Sequence, residues 1–488
     1  MAESSEGDDD NITVAVIGTG LAGLTAAHLL QNDHQHRYRV TLFDKAKNLS
    51  LDSASVTVRH AETARVERVD LPMRACAGGY YENLLRMCRH LAIPLHPVRF
   101  LFAFAAMLPT GHSWRCEATG PGDVGSAPGT YFVYASNMHR ALPPRPAGRR
   151  LVSYWVEVLY LVVCQAWFIA VCFLVRPKTR PVAETLGQYL DRTRVPRRFS
   201  RQYLLPLMSS VSTCSHAEML AFPASDVVDY KRLSHGRQHY AVCGGVWRVQ
   251  SRLAEGVRNV RLGCQVTSVE VDRGRLLVHW HSTAEDGSPS AKDEVFDRVI
   301  LAVSPDMAAA VFRPLSDVLG KMPTKRVESS VLNRWPGTIT VVADDGASTA
   351  PCSFRHGDGC DAQPPHVVTL RTRFAGTASA TEAFHALPSG VLVHTCPLDS
   401  TTEPAETVLR KASFTRTLRT AESKAVVESI FGRVPERGWK NGQDNVWLVG
   451  SWCWDGMVLL EGCVVSALRV ARDFDVGVSW GDAGALQR

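Results

Sequence analysis

Apolar residues Val14 to Ile17, three glycines at 18, 20 and 23, and the apolar-rich stretch Leu24 to Leu30 predict a short buried strand, a tight turn and a helix. A second strand-like run, Tyr38 to Phe43, ends on Asp44. Leu84, Leu85, Cys88 and Leu91 then recur at helical spacing. Gly and Pro enrichment over 119–129 and 142–147 predicts loops. Helices are expected over 151–175, 183–190 and 247–257, whereas Asp226 to Tyr230 and Tyr240 to Trp247 carry strand and turn signals. Alternation from Leu262 to Val271, the turn Asp272-Arg-Gly274 and the run Leu276 to Trp280 predict a hairpin, followed by a polar loop over 281–293. A buried strand follows from Phe296 to Val303, and 337–343, 366–374 and 391–396 supply further strands. Near the end, a strand closing at Gly450, a compact turn and an apolar helix from about Gly456 complete the pattern.

The segment Leu151 to Val175 stands apart, because only Ser153, Glu157 and Gln165 are clearly polar. As a helix, rising about 1.5 Å per residue, it is long enough to span or nearly span a bilayer. Arg149 and Arg150 precede it, and Arg176, Lys178 and Arg180 follow. A single crossing would place the Gly18 turn and the carboxy-terminal half on opposite sides of a membrane. Three readings therefore stay open: a monotopic helix whose basic flanks meet anionic headgroups over 151–180, a re-entrant hairpin, or a buried helix.

Composition narrows the class. With 488 residues, 45% of them hydrophobic and 21% charged, the chain is expected to be globular with more than one domain. Residues 1–10 hold five carboxylates and no cation, so the remainder carries a net +11 rather than +6. Residues 1–11 are expected to form a solvated acidic tail. The arginines from Arg192 to Arg201 lack the interleaved aromatics of a nucleic-acid surface, so no nucleic-acid partner is expected. Thirteen cysteines in no metal-ligand spacing, with no cleavable signal before Ile12, predict reduced thiols, no metal and a cytoplasmic place or the cytosolic face of a membrane. The sequons at Asn11 and Asn48 flank strands and read as chance.

Candidate chemistry begins at the glycine turn. Gly18 and Gly20 permit backbone to approach a pyrophosphate, Gly23 lets the helix lie close to the strand, and the helix amino terminus presents free N–H groups. Asp44 lies 26 positions after Gly18, near the spacing of a carboxylate that holds a ribose, and Lys45 follows it. The competing reading is a βαβ unit that binds no phosphate. The stretch Asp70-Leu-Pro72-Met-Arg74 leading to Gly78-Gly79-Tyr80-Tyr81 is either a backbone segment that approaches a ligand or an ordinary loop. The helix after the Gly450 turn offers a second amino terminus for negative charge, such as that on a reduced flavin.

Taken together, Gly18-x-Gly20-x-x-Gly23, the acidic end of the second strand, Gln265 to Val271, Asp297-x-Val-Ile-Leu-Ala302, and Gly450-Ser451 followed by Glu461-Gly462 resemble the FAD-dependent amine oxidase and phytoene desaturase superfamily. Asp70-x-Pro72-Met-Arg74 and Trp452-Cys-Trp-Asp455-Gly456-Met457 look more closely like uncharacterised fungal flavoproteins. The resemblance implies an α/β chain: a Rossmann-like FAD-binding domain with a parallel sheet, interrupted by a mixed α+β substrate domain. The FAD-binding parts are expected at 12–115, 241–310 and 421–475, the substrate parts at 116–240 and 311–420, and a tail at 476–488.

By position, Gly18, Gly20 and Gly23 would hold the pyrophosphate, Asp44 the adenosine ribose and Val266 the adenine. Arg74 would lie near the flavin, with Gly450, Ser451, Asp455, Gly456 and Met457 along the ribityl chain and ring. The family usually has Glu at Asp44 and paired glycines shortly after, where this chain reads Lys45-Ala-Lys-Asn-Leu-Ser-Leu-Asp52. No cysteine matches the covalent flavin attachment of monoamine oxidases, Cys453 included, so FAD is expected to be noncovalent.

The catalytic residues are not legible, because the cofactor carries the hard chemistry. Tyr230, His239, Tyr240 and Trp454 are pocket candidates. The expected activity is hydride transfer to flavin N5 from a small, lipophilic metabolite, with a place in secondary metabolism, and with oxygen or another acceptor reoxidising the flavin. The alternatives are an amine oxidase acting on a soluble amine, an NAD(P)-linked dehydrogenase and a redox-silent flavin-binding protein at a membrane.

Overall fold

The computed structural model describes residues 11–108, 127–135, 144–179, 182–283, 289–334, 337–342, 365–387, 389–399, 403–432 and 438–480. Residues 1–10 of the acidic tail, most of the loop expected at 119–129, residues 142 and 143 of the next, Arg180 and most of the carboxy-terminal tail lie outside these residues.

The predicted strand and helix form at the amino terminus as β1 (Ile12–Ile17) and α1 (Leu21–Gln31), followed by β2 (Tyr38–Phe43) and α2 (Glu82–His90). Strand β1 lies between β2 and a strand from far along the chain, so Val14, Ala15 and Val16 are wholly buried. That burial on both faces is why the run is apolar without alternation. With β3 (Asn259–Arg261), β4 (Arg298–Leu301) and β5 (Val446–Leu448), the strands form a parallel sheet in the order β3-β2-β1-β4-β5. Three stretches of chain thus build one nucleotide-binding-type sheet.

A second sheet has seven strands, in the order Val408–Thr417, Thr324–Asn333, Val391–Thr395, Ala380–Ala386, His366–Arg373, Phe100–Ala106, Thr130–Ala135. It is mixed, since His366–Arg373 runs parallel to Phe100–Ala106 while the other pairs are antiparallel. Phe100–Ala106 had been placed with the first FAD-binding part by its sequence position; its pairing puts it here.

Three local expectations are corrected. Residues Asp226 to Tyr230, read as strand and turn, lie in a helix, α4 (Ala224–Ser234), because Ala224, Val227 and Val228 turn one helical face into the core. The described residues of the polar loop expected at 281–293 are strand, with Pro289–Phe296 pairing antiparallel to Arg275–Thr283. The last helix, α5, runs Leu460–Asp473 rather than starting near Gly456, because Leu459 is extended at φ −131° and ψ 173°.

The apolar segment forms a single helix, α3 (Leu151–Leu174). Tyr154, Cys164, Phe168 and Val171 pack into the core, whereas Val152, Leu159, Val163 and Leu174 face outward. It is therefore neither a helix buried on all sides nor one detached from the domain.

Candidate active site

Strand β1 delivers the chain into a left-handed Gly18, φ 107°, where a Cβ would stand 2.5 Å from the Ala302 carbonyl oxygen. A Cβ at Gly23 would stand 2.0 Å from the Gly18 carbonyl oxygen, so this glycine is required for α1 to lie on the turn. Gly20 differs: it caps α1 with φ −69°, and nothing lies within 4 Å of where its Cβ would project. Open space therefore faces the first turn of α1, whose N–H groups lack intrahelical partners. That is a cradle a side chain would fill and a phosphate can use. These residues fit a dinucleotide pyrophosphate.

Asp44 closes β2 beside this turn. Its carboxylate accepts hydrogen bonds from the Thr19 amide at 2.9 Å, the Ala46 amide at 2.9 Å and the Thr19 and Ser50 hydroxyls. A ribose diol placed at Asp44 would share the carboxylate with these donors. The Asp44 carbonyl accepts the Cys264 amide at 2.8 Å, which brings the strand Cys264–Asp272 and its buried Val266 alongside. Lys45 points to solvent.

The loop that lacks paired glycines is held by side chains instead. Ser50 bonds Asp44, Asp52 is ion-paired with Arg68, and Arg74 Nη2 donates to the Leu51 carbonyl at 2.8 Å. Arg74 Nε is buried without a hydrogen-bond partner. Burial lowers the Arg74 pKa against the opposing pull of Asp70 and Asp52, and burial pushes Asp70 up to about 6. Asp70 also accepts the Val246 amide at 2.9 Å. A deep cation with an unused donor suits an electron-rich ring edge.

Gly450, Ser451, Asp455, Gly456 and Met457 share one loop whose carbonyls turn inward. Wholly buried Arg419 donates through Nη2 to the carbonyls of Trp452, Trp454 and Gly456 at 3.2, 2.8 and 3.0 Å. Lys424 Nζ reaches the Asp455 carbonyl at 3.2 Å. The Gly450 amide donates to Ser466 Oγ, and the Met457 amide donates to Tyr80 Oη, each at 3.0 Å. Ser451 lends its carbonyl to the close approach of Gly462, where a Cβ would stand 2.5 Å away. The Asp455 carboxylate is exposed, 3.6 Å from Arg469.

Of the four pocket candidates, Tyr230 and Trp454 meet on Tyr80, with ring centroids 4.8 and 5.7 Å from it. Trp454 folds back over Gly456 and Gly462, donating Nε1 to the Met457 carbonyl at 2.8 Å. His239 instead faces Phe100 at 5.6 Å, while Tyr240 shares a small apolar cavity with Leu21 and Arg74. The structure does not bring the four together.

A larger cavity of about 200 Å3 has Asp70, Met73, Arg74, Phe100, His366 and His385 among its walls. His366 Nδ1 and His385 Nε2 are 2.8 Å apart with rings stacked at 5.0 Å, one nitrogen donating to the other. Burial lowers the pKa of His366 to about 4 and holds His385 well below its usual value, so the pair is neutral at pH 7. The sequence carries no signal for it: the two histidines lie on paired strands, 19 positions apart, outside any motif.

Glu461, in the first turn of α5, accepts the Asn83 and Leu84 amides at 2.8 and 3.0 Å and so caps the amino terminus of α2. Burial pushes its pKa up to about 7. A carboxyl whose pKa is raised on folding binds more protons folded than unfolded, so its contribution is full below its ordinary 4.5 and fades as pH rises through 7. Glu461→Gln, which stays neutral, is therefore expected to lose this dependence: wild-type Tm minus variant Tm falls between pH 4.5 and 7 and is flat above pH 8. A difference that rises with pH over that range contradicts the assignment.

Residues 16–91 match the family model of NAD(P)-binding Rossmann-like domains. No curated protein matches the chain in sequence. Among solved structures, a fatty acid isomerase from P. acnes that produces CLA is similar over 95% of this chain and 99% of its own, with TM-score 0.56 and 10% identity. Cyclohexylamine oxidase from Brevibacterium oxydans IH-35A is similar over 95% and 100%, with TM-score 0.52 and 13% identity. A triple mutant of putrescine oxidase, redesigned in its cofactor binding, covers 95% and 99% at TM-score 0.52 and 12% identity. The family match and these likenesses, which are likenesses of fold, bear out the α/β class and its Rossmann-like domain.

Proposed function

We propose that this protein is an oxidoreductase that holds FAD noncovalently and dehydrogenates a small, lipophilic metabolite, in the setting of secondary metabolism. The observation that carries the reading is the joining of two features in one molecule: the open glycine turn at Gly20, and a cavity walled by Arg74, apolar side chains and a neutral histidine pair. Gly18, Gly20 and Gly23 hold the pyrophosphate, Asp44 the ribose, and the strand of Val266 the adenine. Arg74 and the loop from Gly450 to Met457 hold the isoalloxazine end. When bound, FAD would supply the hydride acceptor, with oxygen or another acceptor as the terminal oxidant.

The chain's own residues do the rest. Met73, Phe100 and Val393 offer apolar contact and exclude water. His366, neutral and braced by His385, offers the substrate a hydrogen-bonding partner in the cavity wall. A soluble amine, the substrate class of the alternative reading, would need a counter-charge; Asp70 in the cavity wall is the group that favours it.

Anaerobic mixing of the holoprotein with candidate substrates, watching flavin absorbance bleach, tests the reading. His366→Phe, which removes that hydrogen bond, is expected to slow bleaching by about tenfold while the flavin content stays that of wild type. Equal rates in both proteins would remove His366 from the chemistry.

A further inference from the structure

We propose that the helix Leu151–Leu174 lies in the plane of an anionic membrane leaflet, as a monotopic anchor. The helix has a mean hydropathy of 2.1 over its most apolar window, of which only 28% is buried. The uncovered side is one continuous stripe: Val152, Trp155, Val156, Leu159, Val162 and Val163 recur at intervals of three and four and are 76, 47, 63, 65, 59 and 60% exposed. Trp167, Phe173 and Leu174 extend it to the far end. So large an apolar face on a folded protein implies an occupant.

The opposite face fixes the orientation. Glu157, the one charged residue of the helix, is turned inward to Arg198 and to Tyr203 Oη at 2.5 Å. Tyr189 Oη donates to the Val171 and Val175 carbonyls at 2.9 and 3.0 Å, and Trp167, at the edge of the stripe, donates Nε1 to the Thr193 carbonyl at 3.1 Å. A helix crossing the bilayer would have to break these contacts and expose the buried carboxylate to hydrocarbon, a costly exchange. Lying flat keeps them and buries the stripe.

Charge identifies the surface. Exposed Arg145 and Arg150 stand at the amino-terminal end, and exposed Arg176 and Lys178 at the other, so both ends of the apolar stripe meet phosphate. The two tryptophans on the stripe are the residue type that settles at a headgroup boundary. A second copy of the chain would bring the same cations against each other.

Flotation of the full chain with vesicles of phosphatidylcholine, with and without phosphatidylserine, tests this. Wild type is expected to float with anionic vesicles at least about tenfold more than with neutral ones. Leu159→Glu with Val163→Glu is expected to abolish flotation at unchanged melting temperature, and Arg150→Glu with Arg176→Glu to erase the preference for phosphatidylserine. Tryptophan fluorescence should shift blue on binding in wild type only. Absence of flotation, flotation undiminished by the glutamates, or lipid-free dimers that the glutamates dissociate would overturn the proposal.

Discussion

Asp226→Ala is expected to cost about 3–5 kcal/mol of stability, because it strips the counter-charge from two buried cations. Asp226, on α4, is buried, 2.5 Å from Lys424 Nζ and 3.6 Å from Arg419 Nε. Arg419 is wholly buried, and its Nε and Nη1 have no hydrogen-bond partner. The carboxylate is what makes its burial tolerable. Since Arg419 and Lys424 in turn hold the carbonyls of Trp452 to Gly456, the loss should also loosen the loop expected to carry the flavin ring. Denaturant unfolding of the variant measures the first effect, and weakened flavin retention the second. A stability change below about 1 kcal/mol, the ordinary value of an exposed ion pair, would contradict this account.

Gly20→Val and Gly23→Val are expected to fail in different ways, though both break the same motif. At Gly20 the backbone suits any L-residue and the space around a Cβ is open, so the valine variant should fold and melt like wild type. Its side chain would stand where the pyrophosphate approaches the helix, and FAD affinity should drop at least about 100-fold, the equivalent of about 2.7 kcal/mol. At Gly23 any Cβ collides with the Gly18 carbonyl, 2.0 Å away, and with Ala302 Cβ at 2.9 Å. That clash involves backbone, so the cost exceeds the usual 1–3 kcal/mol of overpacking and little soluble protein should form. Titration of the apoproteins with FAD, beside their melting curves, separates the two outcomes. Wild-type affinity in Gly20→Val would contradict the assignment of the phosphate site.

The contrast shows what the sequence does and does not carry. Local physics is written locally: the apolar run of β1, the three glycines and Tyr38–Phe43 formed the elements expected of them. So did the 24-residue apolar helix, although which of its faces is covered depends on α4 and on residues 189–203, which no period reveals. The seven-stranded sheet was only partly legible. Its strands His366–Arg373 and Val391–Thr395 are rich in β-branched residues and were expected, whereas Val408–Thr417, with exposed Arg410 and Lys411, was not among the expected strands. Helix α4 misled because its paired valines favour strands locally, while packing of its inner face decides the matter.

The site divides the same way. Gly18, Gly20, Gly23 and Asp44 could be picked out by spacing, because a glycine turn between a strand and a helix is a local object. The histidine pair could not: it exists only because two antiparallel strands pair Val368 with His385 in the register that sets His366 beside it. Arg419 was equally silent, since its three carbonyl partners lie 33 to 37 positions away. Loop 45–52, where glycines were missing, proved to be braced by Arg68 and Arg74 rather than by tight turns. Tyr80, the ring on which Tyr230 and Trp454 converge, sat in a stretch that residue types alone left open.

The visible absorption spectrum of the purified protein, taken before and after acid precipitation, tests the central claim most directly. Flavin bands are expected in the folded protein and, after precipitation, in the supernatant, as a noncovalent dinucleotide requires. A colourless protein that also takes up no added FAD would contradict the account.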